Sequence, residues 1–422
     1  MERFRIVGGR RLRGEVTISG AKNAALPCLA ATLLTREPVT LSNLPRVRDI
    51  LTMEKVLVTL GATCHHENGS TSVLAGDVSA FHAPYELVST MRASILVLGP
   101  LLASRRRARV ALPGGCAIGA RPVDLHLAAL ARLGARLFLE HGDIVAEAPY
   151  GLHGADITFP RITVTGTENL LMAATLARGV TVLRNCAREP EVADLARMLV
   201  AMGARIQGIG SDTLEIHGVE GLAGVHHRVI PDRIEAGTYV IAAALAGDGV
   251  RVRACEPAHL TALLATLGEA GVAVEVGEGF LYVPPVTCLA ATSVTTAEYP
   301  GFATDLQAQY LTLMTQAQGR CRIREAIFEN RFQHVLELKR LGARIEVEGD
   351  CAIVEGPVTL DGTVVMASDL RASAALVLAG LVARGETILQ RIYHLDRGYE
   401  AMEAKLNALG AEIHRFNPGP YR

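Results

Sequence analysis

The 422-residue sequence lacks tryptophan and has only four lysines against 38 arginines. Its eight cysteines form no CxxC pair, and its histidines show no metal-ligand spacing. These absences exclude a disulfide framework and predict no metal site. Neither GxGxxG nor GxxxxGK[ST] occurs, which disfavours a dinucleotide fold and a P-loop ATPase. We therefore expect the scattered histidines at surface or loop positions, and most cysteines as reduced, buried packing residues.

The chain also lacks an excess of charge of either sign and a long hydrophobic run. Because 42 basic residues balance 43 acidic ones, we expect no nucleic-acid partner. The longest apolar stretches, such as residues 372–383, are shorter than the ~18 residues that a spanning helix needs, so we expect no membrane partner. Charges in the opening MERFRIVGGRRLRG disfavour a signal peptide. The predicted location is cytoplasmic.

An internal repeat is present instead. Glycine followed by a small or apolar residue ends a helical pattern six times, at intervals of 68 to 73 residues. The six positions are Gly61, Gly134, Gly203, Gly271, Gly342 and Gly410. We expect each glycine just past a helix end, in the left-handed conformation. The pattern predicts six α/β units of about 70 residues.

Each unit contains an Ala/Leu-rich helix, a short β-branched strand, a second amphipathic helix and a hairpin. In the third unit these are residues 168–177, 180–184, 190–202 and 204–216. In the sixth they are SDLRASAALVLAG, ETILQ and RGYEAMEAKLNALG, and the N-terminal strands 4–7 and 15–18 are expected to complete this unit. Six units divide most simply into two lobes of three. The predicted domains are residues 21–229, and residues 1–20 together with 230–422, with the ligand site in the cleft between them.

The segment PGGCAIGARPVDLHL, residues 113–127, departs from the shared pattern by an inserted glycine-rich loop. Arg121-Pro122 opens the next helix, whose N-terminus would attract a phosphate and lower the pKa of a nearby thiol. A cysteine in such a loop has no core to fill. Cys116 is therefore a candidate for a chemical role, as nucleophile or as proton donor.

A second departure is SGAKNAALP, residues 19–27. Lys22 is one of the few lysines, and it stands at a predicted helix start, where a cation is unfavourable unless an anion lies nearby. Asn23 is expected either to cap this helix or to bind a ligand.

Equivalent helix starts in other units also carry charged residues. Capping explains a single aspartate at such a position, but it does not explain arginine. An arginine-rich site with a few carboxylates suits a substrate that bears phosphates and a carboxylate. The residues are Arg92, Asp232, Glu235, Asp305, Asp369 and Arg371.

These motifs resemble, in order and over nearly the whole chain, a known family. Besides the two segments above, the resemblance is carried by NCAREPE, PDRIEAGTY, TDLQAQY, FENRFQH, ASDLRASAALVLAG and RIYHLDRGYE. The family is that of the UDP-N-acetylglucosamine 1-carboxyvinyltransferases, enolpyruvyl transferases of bacterial peptidoglycan synthesis. The resemblance implies a two-lobed inside-out α/β barrel with three pseudo-symmetric units per lobe. It also implies phosphoenolpyruvate and UDP-N-acetylglucosamine as substrates and no cofactor.

The resemblance further implies roles for individual residues. Lys22, Arg121 and Arg397 match positions that grip phosphoenolpyruvate, with Arg92 and Arg371 beside the substrates. Cys116 matches the cysteine that protonates the enolpyruvyl methylene, holds an adduct with phosphoenolpyruvate and is alkylated by the inhibitor fosfomycin. Asp305 matches the base for the sugar 3-hydroxyl. The UDP-sugar contacts match Asn23, Arg121, Pro122, Val123, Asp124, Leu125, Arg161, Ile162, Thr163, Val164, Asp305 and Ile327.

Arg161 departs from relatives that have lysine at its position, a change that keeps the charge and alters the geometry. Two other functions remain open from the sequence. The related shikimate-pathway enolpyruvyl transferases share the architecture, but the long Cys116 loop and FENRFQH favour the sugar nucleotide. A non-enzymatic sugar-nucleotide-binding protein is the alternative from another class, and the presence of Lys22, Cys116, Asp305 and Arg397 disfavours it.

Overall fold

A computed structural model describes residues 2–76, 78, 80–112 and 123–417. The described residues form two compact units. The N-terminal unit contains residues 20–230 and the C-terminal unit residues 2–19 and 231–417, each within the described ranges. The predicted domain boundaries fall after residues 20 and 229, and the two units divide after residues 19 and 230.

The strands, numbered in chain order over the described residues, alternate in short runs with helices. They are β1 (Arg3–Val7), β2 (Leu12–Thr17), β3 (Val39–Ser42), β4 (Thr63–Glu67), β5 (Ser70–Leu74), β6 (His82–Ala83), β7 (Arg107–Ala111), β8 (Arg136–Glu140), β9 (Asp143–Glu147), β10 (Asp156–Thr158), β11 (Val180–Arg184), β12 (Arg205–Gln207), β13 (Thr213–His217), β14 (His226–Arg228), β15 (Gly247–Arg253), β16 (Glu275–Gly277), β17 (Phe280–Val283), β18 (Val294–Thr295), β19 (Gly319–Arg324), β20 (Arg344–Glu348), β21 (Cys351–Gly356), β22 (Val364–Met366), β23 (Glu386–Gln390) and β24 (Glu412–Phe416).

The helices are numbered in the same way. They are α1 (Lys22–Ala31), α2 (Arg48–Leu60), α3 (Tyr85–Val88), α4 (Leu98–Arg105), α5 (Asp124–Arg132), α6 (Val164–Ala174), α7 (Pro190–Ala201), α8 (Arg233–Ala246), α9 (Thr261–Glu269), α10 (Gln307–Met314), α11 (His334–Arg340), α12 (Leu370–Val382) and α13 (Met402–Ala408). Short 3-10 helices occupy Thr32–Leu34, Arg92–Val97, Pro257–Leu260, Thr304–Leu306 and Ile392–Arg397.

The described strands form six four-stranded sheets, three in each unit, and all six have the same pairing. One edge strand runs parallel to its neighbour, and the next two pairings are antiparallel. The N-terminal unit has the orders β14-β3-β5-β4, β6-β7-β9-β8 and β10-β11-β13-β12. The C-terminal unit has β16-β17-β15-β2, β18-β19-β21-β20 and β22-β23-β1-β24. The predicted sixfold repeat is confirmed.

The two N-terminal strands join different sheets. β1 lies between β23 and β24, so it completes the sixth unit as predicted. The prediction that the second strand also completes that unit is wrong, because β2 pairs in parallel with β15 of the fourth unit. The sixth sheet already has its parallel edge strand, β22, whereas the strand just before α8, β14, pairs with β3 of the first unit and leaves the edge beside β15 to β2.

Within each unit the most buried helices lie inside and the sheets outside, whereas α9, α11 and α13 bury only two or three residues each. Nearly all residues of α6, α8 and α12 are buried, because these helices are rich in small and apolar residues. Strands such as β11 and β23 instead alternate buried and more exposed residues, as expected when one face of a sheet meets solvent. Each unit has its own hydrophobic core.

The six repeat glycines all have φ between 87° and 106°, which confirms the predicted left-handed positions after the helices. The bounds of β11 and β23 coincide with the predicted strands, whereas α6 begins four residues before and ends three residues before the predicted helix. None of the helices in the described part of the chain combines the length and apolar character that a bilayer-spanning helix needs.

The expectations for cysteine and histidine are only partly met. Cys28, Cys186, Cys255 and Cys321 are buried and Cys64 and Cys351 half-buried, but Cys288 is exposed. His126 and His334 are buried, so the expectation that the histidines occupy surface positions is wrong for them.

Candidate active site

The predicted site residues are distributed over both units. The described ones in the N-terminal unit are Lys22, Asn23, Arg92, Val123, Asp124, Leu125, Arg161, Ile162, Thr163 and Val164. Those in the C-terminal unit are Asp305, Ile327, Arg371 and Arg397. Cys116, Arg121 and Pro122 lie outside the described residues.

Asp305 lies between two buried arginines of the C-terminal unit. Nη2 of Arg331 donates to Oδ1 at 2.7 Å, and Nη2 of Arg371 donates to Oδ2 at 2.8 Å. Asp305 belongs to the 3-10 turn that precedes α10, Arg371 to the first turn of α12, and Arg331 to the segment before α11. The two guanidinium groups are at most 5% exposed, while the Asp305 side chain is 26% exposed. The carboxylate is therefore the accessible part of a cluster with a net positive charge.

The two arginines determine the protonation state of Asp305. Burial raises its pKa, but the charges and hydrogen bonds of Arg371 and Arg331 outweigh burial and hold the pKa well below the usual range. Asp305 is thus ionised at neutral pH, and it is a weak base while both arginines contact it.

A network of buried polar side chains fixes the position of Asp305. Nε2 of Gln309 lies 3.0 Å from the backbone carbonyl oxygen of Asp305 and 3.1 Å from each of the hydroxyl oxygens of Thr238 and Tyr399, and its two hydrogens are shared among these three acceptors. The Tyr399 ring also faces the Arg371 guanidinium, 5.5 Å from its centroid. Gln309, Thr238 and Tyr399 are almost completely buried, so this network fixes both Asp305 and Arg371.

Ile327 lies in a turn that is stabilised by the buried carboxylate of Glu325. Oε1 of Glu325 accepts from the backbone N–H groups of Ile327 and Phe328 and from the hydroxyl of Thr296. The other oxygen accepts from Thr304, the residue before Asp305. Glu325 therefore ties the Ile327 turn to the segment that carries Asp305.

Lys22 is the first residue of α1 in the N-terminal unit. Its Nζ lies 3.2 Å from Oδ2 of Asp49 in α2, and the side chains are 11% and 5% exposed. The Asp49 carboxylate offsets the poor position of a cation at a helix N-terminus. A largely buried lysine at a helix start is well placed to meet an anion.

Asn23 does not cap α1. The capping position is Ala21, and no side chain accepts a hydrogen bond there, so the capping alternative is wrong. Pro27 lies inside the helix and has no N–H, so it donates no helical hydrogen bond to the carbonyl of Asn23. The carbonyl of Asn23 therefore lacks the hydrogen bond from residue 27 that a regular helix would supply.

Arg92 begins a 3-10 helix close to the buried His126 of α5. Burial lowers the pKa of His126 to about 4, and the charge of Arg92 acts in the same direction, so this imidazole is neutral at pH 7. Asn169 is oriented by Gly99 N–H and the Ile95 carbonyl, and its Nδ2 donates to Nδ1 of His126. The proton of His126 is therefore assigned to Nε2.

The remaining predicted substrate contacts of the N-terminal unit lie at the starts of α5 and α6. Val123 precedes α5, and Asp124 and Leu125 are its first residues. Thr163 caps α6, accepting from the N–H of Gly166, and Val164 is the first residue of that helix. Arg161 and Ile162 lie just before it. In the C-terminal unit, Arg397 ends the 3-10 helix Ile392–Arg397.

The acidic residues at the charged helix starts differ in what their carboxylates contact. Asp232 and Asp369 are ordinary caps, each accepting from two backbone N–H groups at the start of α8 and α12. Asp305 makes no cap and instead contacts Arg331 and Arg371. Glu235 pairs with Lys405, and burial raises its pKa to about 7.

Sequence reasoning missed Arg331, His126 and Gln309. FENRFQH includes Arg331, but no spacing relates that residue to Asp305. The signal for His126 and Gln309 is a polar residue on a helix face that is otherwise apolar, which predicts a buried hydrogen-bonded side chain.

Comparison with known proteins gives consistent results. The model of a family described as EPSP synthase (3-phosphoshikimate 1-carboxyvinyltransferase) matches residues 6–406. A relative from Solibacter usitatus is 56% identical over 98% of this chain and all of its own length, and one from Koribacter versatilis is 57% identical over 99% of this chain and 97% of its own. Both bear the name UDP-N-acetylglucosamine 1-carboxyvinyltransferase.

Solved structures show the same fold. The enolpyruvyl transferase NikO from Streptomyces tendae matches with a TM-score of 0.89 and 29% identity, covering 99% of both chains. An EPSP synthase from Acinetobacter baumannii matches with a TM-score of 0.76 and 17% identity over 99% of this chain and all of its own. The second match concerns the fold alone.

Proposed function

This chain belongs to the enolpyruvyl transferase family, among its UDP-N-acetylglucosamine 1-carboxyvinyltransferases, and we propose that it transfers the enolpyruvyl group of phosphoenolpyruvate to the 3-hydroxyl of UDP-N-acetylglucosamine. Phosphate is the second product. The observation that carries the proposal is the ionised, accessible Asp305 carboxylate between two buried arginines, in a chain 56–57% identical to relatives of that name.

The reaction is an addition followed by an elimination. The sugar hydroxyl oxygen bonds to C2 of phosphoenolpyruvate while C3 takes a proton; then C3 loses a proton and the C2–O bond to phosphate breaks. The steps need one proton donor, one proton acceptor and cations that balance the carboxylate and phosphate. No electrons are exchanged, so the two substrates suffice without a redox cofactor.

The residues divide these tasks. Cys116 is the proposed proton donor at C3 and the site of a covalent adduct, and Asp305 the proposed acceptor of the hydroxyl proton. Lys22, Arg121 and Arg397 hold phosphoenolpyruvate, with Arg92 and Arg371 beside the substrates. The UDP-sugar contacts are Asn23, residues 121–125, residues 161–164, Asp305 and Ile327.

Asp305 can act as a base only after Arg331 or Arg371 has given up its hydrogen bond to the carboxylate. Its depressed pKa reflects two hydrogen-bonded guanidinium groups. An anionic substrate that draws Arg371 or Arg331 away would free a carboxylate oxygen and raise the pKa of Asp305. The same arginines would then stabilise charge on phosphoenolpyruvate, so substrate binding itself would prepare the base.

This activity is the first committed step of peptidoglycan synthesis, which would place the protein in the cytoplasm and in cell-wall formation, cell shape and cell division. The proposal also makes the enzyme a target of fosfomycin, an epoxide that mimics phosphoenolpyruvate and would alkylate Cys116.

The test is phosphate release from phosphoenolpyruvate with each of two acceptors. We expect turnover with UDP-N-acetylglucosamine and none with shikimate 3-phosphate. Turnover with shikimate 3-phosphate alone would instead indicate a 3-phosphoshikimate 1-carboxyvinyltransferase, the activity in the description of the family model. Binding of the sugar nucleotide without turnover would indicate a non-enzymatic relative.

A further inference from the structure

Three potential metal ligands from distant parts of the sequence meet inside the N-terminal unit. Cys28 lies on α1, Asp194 on α7 and His227 on β14. One ligand atom from each lies within 4.8 Å of the others, and none of the three is a predicted substrate contact. Nε2 of His227 is already 3.1 Å from Oδ1 of Asp194.

The fold, and not the spacing of the sequence, creates this cluster. Helix α1 packs against α7, while β14 pairs in parallel with β3, which brings His227 back from the end of the unit. The backbone N–H of Ile230 lies 3.4 Å from Oδ2 of Asp194, which orients the carboxylate. Two of the three positions are therefore fixed by contacts that do not involve the thiol.

Two carboxylates, those of Asp194 and Glu168, lie close enough to the Cys28 thiol to interact with it electrostatically. Oε1 of Glu168 is itself buried without a hydrogen-bond partner among the described residues. A divalent cation at this point would be balanced by one thiolate and one carboxylate beside a neutral imidazole, with the thiol proton released when the ion binds.

The distances suit such an ion. Tetrahedral Zn²⁺ binds sulfur at about 2.3 Å and nitrogen or oxygen at about 2.0–2.2 Å, so its ligand atoms stand about 3.5 Å apart. Closing a cluster whose atoms lie within 4.8 Å of one another requires shifts of about 1 Å. Cys28 and Asp194 are buried, whereas the His227 side chain is 13% exposed, so an ion and a coordinating water would enter beside His227.

We propose that Cys28, Asp194 and His227 form a binding site for a zinc-like divalent cation, with water as the fourth ligand. The ion would connect α1, α7 and β14. Because α1 begins with Lys22 and Asn23, the site would brace the helix that presents two proposed substrate contacts. Its role is structural, and it stands independently of the proposed reaction.

The test uses Co²⁺, whose absorption reports thiolate coordination and tetrahedral geometry. All proteins carry Cys116→Ser, so that this thiol gives no signal, and are freed of metal with a chelator before titration. We expect one Co²⁺ per chain, with a near-ultraviolet thiolate band and visible bands that Zn²⁺ abolishes. Binding must release the thiol proton, so the apparent affinity should rise about tenfold per pH unit.

Matched variants show which residues give rise to the Co²⁺ absorption. Cys28→Ala should abolish the thiolate band and His227→Gln should weaken binding at least tenfold. Cys186→Ala, another buried thiol of the unit, and His226→Gln, the neighbour in β14, should bind as the parent does. Absence of a thiolate band in the parent at 1 mM Co²⁺ (about the weakest affinity of interest), or its persistence in Cys28→Ala, would overturn the proposal. If Cys28→Ala does not fold, Cys28→Ser and His227→Gln decide by the same criteria.

Discussion

Oδ2 of Asp305 accepts a 2.8 Å hydrogen bond from Nη2 of Arg371, which leaves an ionised carboxylate beside a buried cation. This pairing gives Asp305 a different environment from the aspartates that only cap helices. If Asp305 takes the hydroxyl proton, Asp305→Asn should lower kcat about 100-fold or more with a smaller change in KM for phosphoenolpyruvate. Steady-state phosphate release measures both.

Asp369→Asn is the matched control, because Asp369 occupies an equivalent helix start and caps α12. It should change stability little, because asparagine caps a helix about as well as aspartate, and it should leave kcat within a few-fold of the parent. Equal losses of kcat in the two variants would assign Asp305 to structure rather than to chemistry.

The depressed pKa of Asp305 also predicts a pH dependence of stability. In the unfolded chain this carboxyl titrates near about 3.9, and in the folded protein well below that. Its contribution is therefore fully present above the unfolded pKa and is lost as the pH falls through the folded pKa. The difference in free energy of unfolding between the parent and Asp305→Asn, measured in urea, should be constant from pH 7 to 5 and shrink below pH 4. A difference that grows on acidification would contradict the assignment.

Arg331 is expected to act through Asp305. Arg331→Gln removes one of two cations beside the carboxylate, so the pKa of Asp305 should rise. The acid limb of the kcat–pH profile should then move to higher pH, which a purely structural role would not produce. Arg344→Gln, which removes an exposed arginine that pairs with Glu355, should leave the profile unchanged.

Lys22 is predicted to bind phosphoenolpyruvate through its charge. Lys22→Ala should lower kcat/KM for phosphoenolpyruvate about 100-fold, roughly 2–3 kcal/mol for a charge-assisted contact. Lys22→Arg should recover only part, because a planar guanidinium replaces a compact ammonium beside Asp49. Lys55→Ala, an exposed lysine of α2, is the control and should behave as the parent. Equal kinetics for Lys22→Ala and Lys55→Ala would remove Lys22 from the site.

The repeat made the fold predictable from sequence, because each glycine-ended helix and β-branched strand recurs six times and local propensity agrees with the packing. β11 and β23 were predicted to the residue. The place of β2 was not, since strand pairing between distant segments leaves no local signal. For the same reason the sequence indicated Asp305 and Arg371 but not Arg331, and it gave no hint that Cys28 meets His227.

Cys116 should be the one thiol that fosfomycin alkylates. A thiolate attacks the epoxide, and the glycine-rich sequence, the following helix start and Arg121 favour that anion, whereas burial raises the pKa of Cys28 and Cys186. Cys288 is the internal control. It is exposed but has no glycine-rich sequence, following helix start or neighbouring arginine like those of Cys116, so it should remain unmodified. Peptide mass mapping after exposure, with and without UDP-N-acetylglucosamine, should find the adduct on Cys116 and more of it with the nucleotide sugar.

Two substitutions at this position separate its acid chemistry from its nucleophilicity. Cys116→Asp keeps a proton donor but removes the soft nucleophile, so turnover should persist while sensitivity to the epoxide is lost. Cys116→Ser offers a far weaker acid and should lose most turnover. An adduct on Cys288 instead, or full activity of Cys116→Ser, would exclude Cys116 from the mechanism, and the proton at C3 would then have to come from another group.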